Sequence, residues 1–132
     1  MLKLLILCCF LAATPSHALD STSLFCMANT VYHEARGEIL AGQYAVAYVI
    51  LNRIKHQDFP NTVCDVVSQK HQFTGYKPKA KLTDIGAWQQ ALNVAKNATV
   101  AYKKGYDTTK GALYFNSTKR KGIRIGNHVF YQ

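Results

Sequence analysis

Acid is scarce in this chain. Its 132 residues carry 7 Asp and Glu against 16 Lys and Arg, a formal charge of +9. Glutamate is scarcer still. Glu34 and Glu38 are the only two, and both lie in the stretch Tyr32-His33-Glu34-Ala35-Arg36-Gly37-Glu38. Such a charge balance attracts polyanions: nucleic acid, anionic lipid or a bacterial wall. By itself it does not choose among them.

Long apolar runs are also lacking. Leu4–Ala13 is too short to span a bilayer. Lys3 precedes it, Pro15 breaks it, and Ser16-His17-Ala18 has the small-x-small form of a cleavage site. That layout predicts a secretory signal peptide over residues 1–18. The remainder, 19–132, suits one soluble exported domain with one modest core, either secreted or periplasmic. Cysteine is limited to four, and Cys8 and Cys9 fall within the leader. Cys26 and Cys64 remain as an even pair in an exported chain, which predicts a disulfide. Its loop of about 38 residues is worth about 3–4 kcal/mol in the chain-entropy picture. Internal repeats and low-complexity blocks are absent.

The elements follow from apolar spacing. Ser21, Thr22 and Ser23 are candidate caps for a first helix, whose apolar face is Leu24, Ala28, Val31 and Ala35. Gly37 and Ile39-Leu40-Ala41-Gly42 suggest its stop and a turn. A second helix is expected over about 43–56. Its centre, Ala45 to Leu51, is apolar all round, as for a buried central helix. Phe59-Pro60-Asn61-Thr62 reads as a turn and cap before a short helix over about 63–69. Residues 71–81 read as a lysine-rich loop. The longest helix follows, capped by Thr83 or Asp84, with Ile85, Trp88, Leu92, Ala95, Thr99 and Tyr102 on one face. Gly105 ends it. The last quarter reads as short strands over 111–115, 123–125 and 129–131. A mostly helical domain with a small C-terminal sheet is an α+β arrangement.

If Glu34 and Glu38 share one helix, four-residue spacing puts them side by side on one face. Three chemistries use such a pair. His33-Glu34-Ala35-Arg36-Gly37 begins like the zinc motif HExxH, but Gly37 stands where the second histidine is needed. Two-carboxylate glycoside cleavage needs acids on opposite sides of the sugar, which neighbours on one face do not provide. A single glutamate performing both proton transfers fits, with the second glutamate tuning or supporting it. His33 points to another helix face and is not assigned to catalysis. Arg36 and Arg53 either bind peptide carboxylates or balance the glutamates.

These residues carry a likeness. Tyr32 to Glu38, Gly42-Gln43, Ala45-Val46-Ala47 and Leu51-Asn52-Arg53 resemble the SleB/CwlJ family of cell-wall hydrolases. The likeness continues through Phe59 to Cys64, Val66-Val67, Gln69, Gln72-Phe73, Gly111 to Tyr114 and Ile125 to Tyr131. It covers nearly all of residues 19–132. The resemblance implies a compact lysozyme-like domain that cuts peptidoglycan between N-acetylmuramic acid and N-acetylglucosamine as a lytic transglycosylase. It implies Glu34 as the acid/base, and the reading of the pair adds Glu38 as a second catalytic-site residue that tunes or supports it. Tyr114 and Asn116 are candidates to hold saccharide or orient Glu34, and Gln72 and Phe73 to contact substrate. Asn127 and His128 read as turn or cap residues. A family tryptophan expected between the Tyr114 and Gly126 blocks has no counterpart in 117–124.

The expected partners are peptidoglycan glycan strands and anionic cell-wall polymers. Nucleic acid is not expected, nor a membrane once the leader is removed. A monomer without metal or cofactor is expected. The rivals are a hydrolysing muramidase, an amidase, and a basic wall-binding module without catalysis.

Overall fold

The computed structural model describes residues 19–132. The expected leader over 1–18 lies outside the described residues. Four helices come first: α1 (Ser21–Ala35), α2 (Leu40–Lys55), α3 (Val63–Ser68) and α4 (Ile85–Lys103). Three strands follow: β1 (Tyr114–Asn116), β2 (Ile123–Ile125) and β3 (His128–Tyr131). The α+β expectation holds.

The cap of α1 is Asp20, not one of the three hydroxyl residues after it. Its Oδ1 accepts the Ser23 N–H at 2.7 Å. A carboxylate is the stronger acceptor, and the helix starts one residue earlier as a result. Thr62 caps α3 and Asp84 caps α4 in the same way, at 3.2 and 2.9 Å.

Helix α2 is the centre. Every residue from Ala45 to Arg53 is buried, and the helix packs against the other three and against β1 and β2. It starts at Leu40, so Leu40-Ala41-Gly42 form its first turn and not the expected loop. Helix α4 meets α1 and α2 through Ala91, Val94, Ala95, Ala98 and Thr99. Ile85 was expected on that face but is 78 % exposed, because it opens the helix beyond the edge of the core. Small residues let α4 lie close to its neighbours, while Trp88 packs edge-on to Phe25 and Tyr32 at the rim.

The expected disulfide is present. Cys26 and Cys64 join α1 to α3 across a 38-residue separation, with Cα atoms 5.3 Å apart. Buried Asn29 adds a second tie. Its Oδ1 accepts the Lys77 N–H at 2.8 Å and its Nδ2 donates to the Lys77 carbonyl at 3.2 Å, which straps the lysine-rich loop along α1.

The strands form an antiparallel sheet of order β1-β3-β2. Its first strand begins at Tyr114, later than the expected Gly111. The backbone before it is committed elsewhere: the Gly111 N–H donates to Asp107 Oδ2 and the Ala112 N–H to Thr109 Oγ1. Asn52 of α2 donates to the same Asp107 at 2.9 Å. Burial alone would push the Asp107 carboxyl up. The hydrogen bonds from Thr109, Asn52 and Gly111 outweigh it and hold the group below its ordinary value. This polar knot fixes where the sheet leaves the helices.

Candidate active site

The two glutamates do not share a helix face. Helix α1 ends at Ala35, one turn before the spacing argument needs it to. Gly37 supplies the break, and the Glu38 N–H closes the turn on the Ala35 carbonyl at 2.9 Å. Glu34 therefore leaves from the last turn of α1, and Glu38 from the connection into α2.

Glu34 faces a cleft of about 430 Å³ between the helices and the sheet. Arg53, Gln72, Tyr114, Asn116, His128 and Tyr131 line it as well, with His71, Thr74, Phe115 and Ser117 at its edges. Glu34 is the only carboxylate on that lining. The Gly75 N–H donates to Glu34 Oε1 at 2.8 Å. A Cβ at Gly75 would stand 2.6 Å from Glu34 Cγ, so only glycine lets this loop reach the carboxyl. One oxygen is thereby held by the backbone, which fixes the direction of the side chain.

Glu38 is turned to the sheet. Its Oε2 accepts the Asn127 N–H at 3.1 Å, and its Oε1 lies 3.7 Å from His128 Nδ1. The second distance is too long for a hydrogen bond. It is an ion-pair distance once His128 is protonated. Gly126, at φ +61°, makes the tight turn, and a Cβ there would come within 2.5 Å of Glu38 Oε2. Glu38 is thus a clamp that fastens the β2–β3 turn to the start of α2.

The four candidate contact residues divide. Gln72, Tyr114 and Asn116 line the cleft. Phe73 does not: it is 5 % exposed and packs under the cleft against Phe115. A large aromatic on a polar loop reads as a surface contact, but here it anchors the loop. Asn116 Nδ2 donates to the Tyr131 hydroxyl at 3.1 Å, and the Tyr114 and Tyr131 rings stack at 5.6 Å. The Arg120 guanidinium lies over the Tyr131 ring at 3.4 Å, and Arg53 lies 5.4 Å from the Tyr114 centroid.

The arginines divide as well. Arg36 donates from Nη1 to the Tyr32 hydroxyl at 2.6 Å and lies over that ring, so it balances neither glutamate. Arg53 is 3 % exposed and donates from Nε to the Leu113 carbonyl at 2.7 Å. Burial pushes its guanidinium below the ordinary value, and Tyr114 and Tyr131 act in the opposite direction. Sequence reasoning placed Asn127 and His128 as turn residues only, and it missed Tyr131 and Gly75. The apolar alternation of β3 hid Tyr131, and nothing local marks a glycine that must approach a carboxylate from another segment. Among the described residues, no group of three His, Cys, Asp or Glu could hold a metal ion. No described helix is long and apolar enough to cross a membrane.

A family model described as Cell Wall Hydrolase matches residues 37–131. A spore cortex-lytic enzyme of Bacillus cereus is 37% identical over 114 residues, which cover 79% of this chain and 42% of that protein. The chain thus spans under half the length of such curated relatives. The crystal structure of the catalytic domain of the Bacillus cereus SleB protein superposes with a TM-score of 0.69 at 30% identity, covering 91% of this chain and 99% of that one. The catalytic domain of the germination-specific lytic transglycosylase SleB from Bacillus anthracis gives a TM-score of 0.64 at 34% identity, over 86% and 97%.

Proposed function

The chain belongs to the SleB/CwlJ-type family of cell wall hydrolases, and from that premise we propose that it degrades peptidoglycan as a lytic transglycosylase. Glu34 acts as the single acid/base on the bond between N-acetylmuramic acid and N-acetylglucosamine. As the acid, it gives its proton to the glycosidic oxygen while the bond from that oxygen to the muramyl C1 breaks. As the base, it takes the proton of the muramyl C6 hydroxyl, whose oxygen attacks C1. The products are a free N-acetylglucosamine hydroxyl and a 1,6-anhydro ring. No water is consumed, and Glu34 ends protonated as it began.

The observation that carries this reading is the solitude of Glu34 in the cleft. Cleavage by two carboxylates needs a partner about 5 Å away or more, across the sugar. Glu38, the other glutamate, is engaged by the Asn127 backbone and lies beside His128, off the cleft lining. In this reading Tyr114, Asn116 and Gln72 hold the glycan, and Glu38 supports the cleft by seating the hairpin. The bound oxygen of Glu34, held by Gly75, leaves the other to exchange protons.

The same reading assigns 1–18 to a cleaved leader and 19–132 to the catalytic domain, acting as a monomer outside the cytoplasmic membrane. The basic surface then holds the enzyme on anionic wall polymers. The test is digestion of purified peptidoglycan by the oxidised chain, with products weighed by mass spectrometry. Muropeptides lighter by one water than the hydrolysed forms support the transglycosylase. Products of full hydrolysed mass would move the assignment to a muramidase. Binding without soluble products would sink the enzyme reading for this substrate.

A further inference from the structure

Arg53 is a buried cation without a counter-anion. Among the described residues the ion pairs are His56–Asp58 and His128–Glu38, and Arg53 belongs to neither. Its Nε is engaged by the Leu113 carbonyl, while its Nη1 is buried and has no hydrogen-bond partner. Three rings enclose the guanidinium: Phe73 at 4.7 Å, Phe59 at 4.8 Å and Tyr114 at 5.4 Å from their centroids. Ring faces attract a cation but satisfy none of its in-plane donors.

An unpaired buried guanidinium is unfavourable, and so is an unused buried N–H. A fold that keeps both at the lining of a cleft has a reason in what the cleft receives. Arginine stays charged at any physiological pH, and its planar fork matches a carboxylate. The carboxylate does not come from the protein. Among the described residues Glu34 is the only acid on the lining, its Oε1 is held by Gly75, and it forms no ion pair with Arg53. His71 and His128 also line the cleft, and His128 already has Glu38 Oε1 at 3.7 Å.

We infer that Arg53 forms an anion subsite in the Glu34 cleft that receives a carboxylate carried on the lactyl ether of the muramyl residue. This rests on the peptidoglycan reading above and adds a specificity to it. Two sources supply that chemistry: the free lactyl carboxylate, and the carboxylates of a stem peptide attached through it. Both lie on the sugar whose C1 is attacked, so the subsite fixes that sugar relative to Glu34. Arg53 is therefore a specificity residue for the substrate and not a proton-transfer group.

The test compares three glycans with the wild-type chain: one with stem peptides, one with free lactyl carboxylates, and one with those carboxylates converted to neutral methylamides. The better charged glycan is expected to exceed the methylamide in kcat/KM by about tenfold or more, the scale of one charge-assisted hydrogen bond. Preference for the peptide form assigns the stem peptide, and preference for the free acid assigns the lactyl group. Arg53→Gln should bring the preferred glycan down to the methylamide level, mainly through KM. Should Arg53→Gln fail to fold, Arg53→Lys serves, because it keeps one charge and loses the fork; it should lose severalfold of the preference. Equal rates on all three glycans overturn the inference and leave the glycosidase reading intact. A preference undiminished in the folded variant assigns the anion to other cations and overturns it too. Cleavage of none of the three overturns the glycosidase reading, and this inference falls with it.

Discussion

Glu34 and Glu38 stand four residues apart and meet different surroundings. The Glu34 carboxyl meets a single backbone N–H and otherwise faces the cleft. Its neighbour across the turn meets a backbone N–H as well, from Asn127, but sits against His128 and off the cleft lining. Each approach depends on a glycine, Gly75 for the first and Gly126 for the second. The same device, a carboxylate docked on a glycine-bearing loop, is used once where the carboxylate faces the cleft and once where it is closed into a clamp. What separates the two is the helix end at Ala35: one residue type, two sides of a break, two environments.

The largest effect expected is on the cleft side. Glu34→Gln should lower kcat on peptidoglycan by about 10³-fold, within the span of general acid–base catalysis, with thermal stability unchanged. The amide oxygen still accepts the Gly75 N–H, so a change in melting temperature of the size of an ordinary core defect would break the contrast. Gly75→Ala tests the same side from the loop. The added Cβ, at 2.6 Å from Glu34 Cγ, must displace either the side chain or the loop. A displacement near 1 Å costs about 10²-fold in rate. Activity assays and the melting temperature together should show a rate loss out of proportion to the loss of stability.

On the clamp side the ranking reverses. Glu38→Ala leaves the Asn127 N–H without its acceptor and loosens the hairpin, at about 1–2 kcal/mol of stability. Activity should fall by less than for Glu34→Gln, because His128 and Tyr131 are displaced and no proton-transfer group is lost. Glu38→Gln keeps an acceptor oxygen and should recover most of the stability and activity. If Glu38→Gln is as inactive as Glu34→Gln, the second glutamate is doing chemistry, and the comparison fails.

Much of this contrast was written in the chain. Only two of the seven acids are glutamates, and their four-residue spacing singled out the stretch that borders the cleft. The pairing of Cys26 with Cys64 followed from the two cysteines outside the expected leader. The unbroken apolar run from Ala45 to Leu51 identified the central helix. Periodicity failed where a long-range partner decides the outcome. Glu34 and Glu38 looked like one helical face because Gly37 was weighed as a stop for apolar spacing and not for the acids. Phe73 read as a candidate substrate contact because its burial depends on Arg53 and Phe115, which lie far along the sequence. Asn29, an amide on an otherwise apolar face, was the one local sign that a loop docks on α1, since a buried amide requires partners. The sheet order β1-β3-β2 rests on registers that strands of three and four residues do not announce.

The smallest effect concerns His33, the residue between the tyrosine that holds Arg36 and the glutamate in the cleft. Its Nε2 is buried without a hydrogen-bond partner. Desolvation lowers its pKa below 6.5, and the charges of Lys77 and Arg36 lower it further. The native state therefore resists a proton that the unfolded chain accepts near pH 6.5. His33's share of stability is complete above that pH and declines as pH falls toward the native value. His33→Phe keeps a ring against Tyr32, from which the imidazole lies 4.9 Å in an edge contact, and removes the titration. Melting temperatures of the two proteins, measured from pH 8 to 5, should diverge below about pH 6.5, with the wild type falling faster. Glu34 chemistry is not required for this, so Glu34→Gln should show the wild-type slope. Parallel curves for wild type and His33→Phe would mean that the imidazole takes its proton in the fold as easily as outside it, and that the last turn of α1 is more open to water than its unpartnered nitrogen indicates.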